Sequence, residues 1–217
     1  MSRIEEISQA SKKKIIEAAK NGVKNESSQI TSDPSKFIIQ DEQKLDEMLR
    51  KMAENKFEVK FLDESSIISE INQITSQYGY ESLIYPEDLG IDIEAINASK
   101  KLCYDQQIET IRSEVFEYDF SVINALLGVS SHGVACVVSS KKQPRMLSLS
   151  PKLCIMLLKK ESIVSSLSEA LNAVKSKFAD ILPSNILFIA GPSRTADIEL
   201  ISVFGVHGPQ RVHILVY

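Results

Sequence analysis

A chain of 217 residues, 43% apolar and 25% charged, can bury a sizeable core in one large domain, or in one domain with a small addition. Its net charge of −4 argues against a general nucleic-acid binder, which needs a basic surface. No segment approaches membrane-spanning length and the first residues lack an apolar leader, so the expected location is the cytoplasm.

Residues 2–22 read as an amphipathic helix with Ile4, Ile7, Ile15, Ile16 and Ala19 on one side, stopped by Asn21-Gly22. Residues 25–35 are polar and contain Pro34, the composition of a loop or linker. The expected division is therefore an N-terminal helix and linker over 1–40 and an α/β domain over 41–217. A second helix is expected from about Asp41, its N-cap, to Asn55, with the stripe Leu45, Met48, Leu49 and Met52. At Phe57 the period changes from helical to alternating, and Phe57, Val59 and Phe61 mark a half-buried strand. Asp63 then opens a helix to about Tyr78, and Ser82–Tyr85 is a strand stopped by Pro86. A weak helix over 91–98 and a strand over 101–104 follow.

Phe120–Ile123 and 133–138 read as strands on either side of an irregular stretch, and Leu153–Leu158 as a strand buried on both faces. Residues 161–177 have helical spacing, with Ile163, Val164, Leu167, Ala170, Leu171 and Val174 inward. An apolar run ends at Ile189, a turn follows at Gly191-Pro192, a helix is expected over about 194–204, and the chain ends on a strand from Arg211. Strand and helix units of this length predict an α/β fold with a mostly parallel sheet and helices on its faces.

The three cysteines, Cys103, Cys136 and Cys154, lie far apart with no Cys-x-x-Cys pair, and read as reduced core residues. Neither cysteines nor histidines supply a recognisable ligand set, so no metal site is expected and any cofactor is unknown. Residues 1–114 carry 15 lysines and arginines against 22 aspartates and glutamates, while residues 115–217 carry 10 against 7. The mildly basic half could suit a small anion, although ordinary surface scatter is the better account of so small a bias.

That half also holds the densest group of polar residues. Gly191 permits positive φ, Pro192 stiffens the turn, and Ser193 is placed as the N-cap of the expected helix. A helix start at the carboxyl end of a strand favours an anion, and the guanidinium of Arg194 binds carboxylate or phosphate bidentately. Arg194 with Asp197, and Thr195 with Glu199, would share helix faces. A capped helix with a local ion pair accounts for the same residues. Gly205 and Gly208 bracket His207 in the turn before the last strand, where His207 is either a loop residue or a group able to transfer a proton. His132, beside Ser130 and Ser131, could line a cleft, and His213 alternates within a strand and reads as structural. There is no GxxxxGK[ST] loop and no GxGxxG, and nucleophilic catalysis has no local signature.

Gly191-Pro192-Ser193-Arg194-Thr195-Ala196-Asp197-Ile198-Glu199, followed by Gly205-Val206-His207-Gly208-Pro209, resembles the C-terminal signature of the lactate-utilization protein C (LutC/YkgG, LUD-domain) family. Residues 145–151 and the strand after them are similar to the family's middle section, and a weaker similarity covers roughly 40–217. The resemblance implies a three-layer α/β/α sandwich similar to NagB/RpiA/CoA-transferase-like folds. It also implies a role in bacterial growth on L-lactate beside two sister subunits that carry iron–sulfur clusters. On that reading Gly191, Ser193, Arg194, Thr195, Gly205, Gly208 and His132 bind a small anion, and His207, Asp197 and Glu199 are the catalytic candidates. One departure stands out. The family pattern Gly-Ala-Asp-x-Ala-Ile-Ala-Glu-Thr-Gly-Thr corresponds to 124–134, where its aspartate, glutamate and first threonine become Leu126, Ser131 and His132 while Gly133 is kept. Three functions stay open: a non-redox subunit of a lactate-oxidising system, a stand-alone CoA-transferase- or isomerase-like enzyme, and an assembly or regulatory module.

Overall fold

The computed structural model describes residues 3–22, 43–105, 107–196 and 202–217. The chain forms two units, residues 1–34 and 35–217. In the first, the expected helix is present as α1 (Arg3–Gly22). The polar stretch 25–35, the cap at Asp41, and Asp197 and Glu199 lie outside the described residues.

The second unit begins with α2 (Lys44–Glu54), β1 (Glu58–Phe61), α3 (Ile67–Tyr78), β2 (Ser82–Tyr85), β3 (Lys100–Cys103) and the single turn α4 (Ile108–Ile111). Next come β4 (Phe120–Asn124), β5 (Leu127–Val129), β6 (Val134–Val138), β7 (Leu153–Leu158), β8 (Ile163–Val164) and α5 (Leu167–Lys177). It closes with β9 (Ile186–Ile189), β10 (Arg194–Ala196), β11 (Ser202–Phe204) and β12 (Arg211–Val216). Six strands form an all-parallel sheet in the order β1-β12-β7-β4-β2-β3. The mostly parallel α/β architecture with flanking helices is thus as expected.

Alternation along these strands divides the core between the two faces of the sheet. Leu83, Phe120, Val122, Ile155 and Leu215 point to the face covered by Ile67, Ile71 and Ile74 of α3. Ile84, Ile123, Met156, Ile214 and Val216 point to the other, where Met48 and Met52 of α2 are fully buried among them. Every residue of β7 is buried, which explains its unbroken apolar run. The second face also carries a further sheet, β8-β5-β6-β9, in which β6 runs antiparallel to β5 and β9. That sheet is covered in turn by Ala170 and Val174 of α5.

Three sequence expectations are corrected. Residues 91–98 form turns rather than a helix. Asn72 of α3 satisfies that backbone, donating to Ala95 O (3.0 Å) and accepting from Asn97 N (2.7 Å). The helix expected from residue 161 starts at Leu167, capped by Ser166 Oγ, because Ile163 and Val164 pair with β5 as β8, and Leu171 is exposed. The helix expected over 194–204 is replaced by an antiparallel hairpin, with Arg194 opposite Phe204 and Ala196 opposite Ser202.

The end of α2 joins the two sheets. Asn55 Nδ2 donates to His132 O (2.9 Å) and Gly133 O (3.0 Å) just before β6. A methyl group on Gly133 would overlap the backbone of Lys51 and Met52, and one on Gly191, after β9, would overlap Asn55 O. Both glycines also have positive φ, 59° and 91°. His213 is structural, as expected: it is buried in β12 with Nε2 3.2 Å from the Tyr78 hydroxyl and 3.6 Å from Glu58. Burial outweighs the raising influence of Glu58 and Glu70, and holds this imidazole below its ordinary value.

Two predictions follow from this packing. Gly133→Ala and Gly191→Ala should each cost about 2 kcal/mol or more, and Gly79→Ala about 1 kcal/mol, because φ is positive at all three but only Gly79 has open space. Urea unfolding measures this, and equal losses at the three sites would contradict it. For His213, the unfolded chain takes up a proton below about pH 6.5 that the folded chain refuses until its own lower value is reached. Stability should therefore fall as pH drops from about 6.5 through that window, and His213→Gln should flatten this part of the unfolding-midpoint curve.

Candidate functional site

The signature residues are folded together, but not in the manner anticipated. Arg194 belongs to β10, so Ser193 caps no helix and no row of helical N–H groups faces a ligand there. The preceding strand, β9, lies in the second sheet and is antiparallel to β6, so its end is not a carboxyl end of the parallel sheet. The turn lies at the opposite edge. Ser193 N donates to Pro209 O (2.9 Å), and Gln210 N to Lys152 O (2.8 Å), which places the signature beside the amino ends of β12 and β7.

The motif is knotted by its own backbone. Gly205 N donates to Ser193 O (2.9 Å), returning the hairpin to the turn from which it left. A methyl group on Gly208 would stand 3.0 Å from Ser193 Cβ, so the two segments are in close contact. Gly191, Ser193, Gly205 and Gly208 are therefore one cluster of main chain. Three side chains project from it. Arg194 is exposed and donates to Ala190 O (3.1 Å). Thr195 is exposed opposite Val203, and His207 is exposed in the closing turn. Asp197 and Glu199 lie outside the described residues.

His132 approaches the same structure from another side. Its carbonyl and that of Gly133 are held by Asn55 Nδ2, while Asn55 O lies against Gly191. The run at 124–134 and the signature thus meet on one asparagine, a residue that the sequence offered only as the end of a helix. The imidazole of His132 is half-buried, with Nδ1 2.8 Å from Ser131 Oγ. Beneath it, Ser130 Oγ donates to the buried carboxylate of Glu47 at 2.6 Å. No helical spacing or loop signal marks Glu47 as more than a surface residue of α2. Its burial is visible only once the second sheet is placed over the helix.

The cysteines are separated as expected. Cys154 packs with the α2 face of the parallel sheet and Cys136 under α5. Burial pushes their thiols up to about 12 and about 11. Cys103 is half-buried on the edge strand β3, and its thiol is also raised, chiefly by burial and then by Asp105 and Glu87. Among the described residues no group of three His, Cys, Asp or Glu could hold a metal ion, and no helix is long and apolar enough to cross a membrane.

The chain is similar to several known proteins. The chain is 35% identical over 135 residues to the uncharacterized protein YkgG of Escherichia coli, covering 60% of this chain and 58% of that one. It is 34% identical over 114 residues to lactate utilization protein C of Bacillus licheniformis, covering 52% and 46%. With lactate utilization protein C of Oceanobacillus iheyensis the identity is 27% over 184 residues, covering 83% and 72%. The chain spans only about half the length of several of these curated relatives. A crystal structure of a DUF162 family protein from Deinococcus radiodurans has the same fold, with a TM-score of 0.61 at 18% identity, over 80% of this chain and 95% of that one. The model of the LUD domain matches residues 45–217, from α2 to the end of β12, and the chain belongs to the LUD domain family.

Proposed function

We propose that this chain is a non-redox subunit of an L-lactate utilization system, acting beside iron–sulfur sister subunits in the cytoplasm and binding a small anion at its signature hairpin. The observation that supports a binding role is the state of Arg194. Its guanidinium is exposed, makes one hydrogen bond to a main-chain carbonyl and forms no ion pair with a described residue. An exposed guanidinium presents a planar fork that suits a carboxylate or phosphate. The lactate reading is supported by the relatives named lactate utilization protein C. Oxidation of lactate to pyruvate removes two electrons and two protons. Two of this chain's three thiols are fully buried in separate parts of the core and the third is half-buried on an edge strand, which favours electron carriers on the partners.

A second reading is that the hairpin is a contact surface within the assembly. It is favoured by Val203, Phe204 and Val206, which are 48%, 43% and 50% exposed on and beside β11. The two readings separate in one reconstitution. Omitting this chain from a mixture with the sister proteins should abolish lactate-dependent reduction of an electron acceptor, and undiminished activity without it would refute the subunit role. Within the complete mixture, Arg194→Ala should lower activity roughly tenfold or more while co-purification is unchanged. Weakened co-purification with normal turnover per assembled complex would establish the contact reading instead.

A further inference from the structure

A cleft of about 610 Å³ opens at the edge of the parallel sheet opposite the signature hairpin. The topology of the fold accounts for it. The chain leaving β2 turns to the α3 face, where Leu89 and Ile96 pack with Ile67 and Ile71. The chain leaving the neighbouring β4 turns to the other face and enters β5 of the second sheet. Adjacent parallel strands whose connections part to opposite faces leave a crevice beyond their carboxyl ends, the usual ligand position in open α/β sheets. Asp88 after β2, Asn124 at the end of β4, Lys159 after β7 and Tyr217 after β12 all line it.

The floor is fixed by side-chain hydrogen bonds. Gln143, itself buried, accepts from Asn124 N (2.9 Å) and donates to Asn124 O (2.9 Å), while Asn124 Nδ2 donates to Asp88 O (3.0 Å). Two separate connections are thus tied to the end of β4. The Oδ1 of Asn124 has no partner among the described residues and remains an acceptor. The walls differ in charge. Lys159 and Lys177 come from the side of the second sheet, and neither forms an ion pair with a described residue. Glu64 and Asp88 come from the α3 side. Tyr217 adds a phenol kept protonated by burial and then by the nearby Glu64 and Glu161, hence a hydrogen-bond donor.

We infer that this cleft binds a small hydroxylated organic anion, a hydroxycarboxylate or a phosphate monoester, with its charged end toward Lys159 and Lys177 and its hydroxyl groups toward Asp88, Glu64 and Asn124. Ammonium groups without a protein partner attract either anion, and carboxylates with a free amide oxygen accept from hydroxyl groups. The site shares no residue with the signature hairpin and does not depend on the proposed lactate role.

The test uses the full chain, labelled with nitrogen-15 and titrated separately with L-lactate, glycerol 3-phosphate, acetate and inorganic phosphate. Saturating shifts of the Asn124 and Gln143 side-chain amides are expected with L-lactate or glycerol 3-phosphate, and whichever binds identifies the source of the anion. Binding should weaken roughly tenfold or more in the double variant Lys159→Gln/Lys177→Gln. Both lysines are exposed, so the variant should keep the wild-type melting midpoint. Absence of shifts with both hydroxylated anions in the wild-type chain would overturn the proposal, a result that does not depend on the variant folding. Shifts unaffected by the double substitution would overturn it too, as would acetate and inorganic phosphate binding as tightly as their hydroxylated counterparts. Arg194→Ala should leave this binding unchanged, so failure here is distinguishable from failure of the lactate reading.

Discussion

The last turn of α2 is the point through which the two sheets are held in register. A helix end normally turns its free carbonyls to solvent or to a cap. Here the carbonyl of Asn55 lies against Gly191, its side-chain amide holds the carbonyls of His132 and Gly133, and the turn before it is in contact with Gly133. Main chain approaches main chain at two places, with no room for a side chain at either. Glu47, one face along the same helix, is buried by this packing and is stabilised by the hydroxyl of Ser130 at 2.6 Å. A buried carboxylate is costly unless hydrogen-bonded, so the serine belongs to the same arrangement. The signature turn is a structural joint before it is anything else, and its first glycine is accounted for by packing alone.

What was legible in the sequence was whatever depends on local periodicity with burial on known faces. The run Leu153–Leu158 could only be an interior strand, and Met48 with Met52 could only be the inner side of a helix. The hairpin was not legible. Ile198, Ile201, Val203 and Phe204 fit a helical stripe after a serine cap about as well as they fit strands. The deciding interactions, Gly205 N to Ser193 O and Ser193 N to Pro209 O, join residues 12 and 16 positions apart and leave no periodic trace. Residues 163–164 were absorbed into a helix for the same reason, since their partner β5 lies 35 residues earlier.

Applying the rule that ligands sit at the carboxyl ends of parallel strands requires knowing which strand is parallel. β9 and β7 look alike as apolar runs. In the fold, β7 is buried throughout at the centre of the parallel sheet, whereas β9 is half-buried at the edge of the second, largely antiparallel sheet. The strongest motif therefore lies at the amino ends of β7 and β12, and the carboxyl edge is equipped by residues that no motif marks. Asn124, Gln143, Lys159 and Lys177 are unremarkable in sequence, and only the divergence of the β2 and β4 connections places them around one cleft.

The segment 124–134 connects these two ends of the molecule. Its first residues, Asn124 to Leu126, line the cleft. Its last, Ser131 to Gly133, lie against the end of α2 and, through Asn55, beside Gly191. The intervening β5 is a short, fully buried strand. Leu126 gives the cleft wall an apolar patch between this run and the region that Lys159 and Lys177 line. At the other end, Glu47 of α2 supplies a buried carboxylate to the hydroxyl of Ser130, next to Ser131. The run thus couples a cleft at the carboxyl edge of the parallel sheet to a buried carboxylate beneath the signature turn, which a different element of the fold supplies.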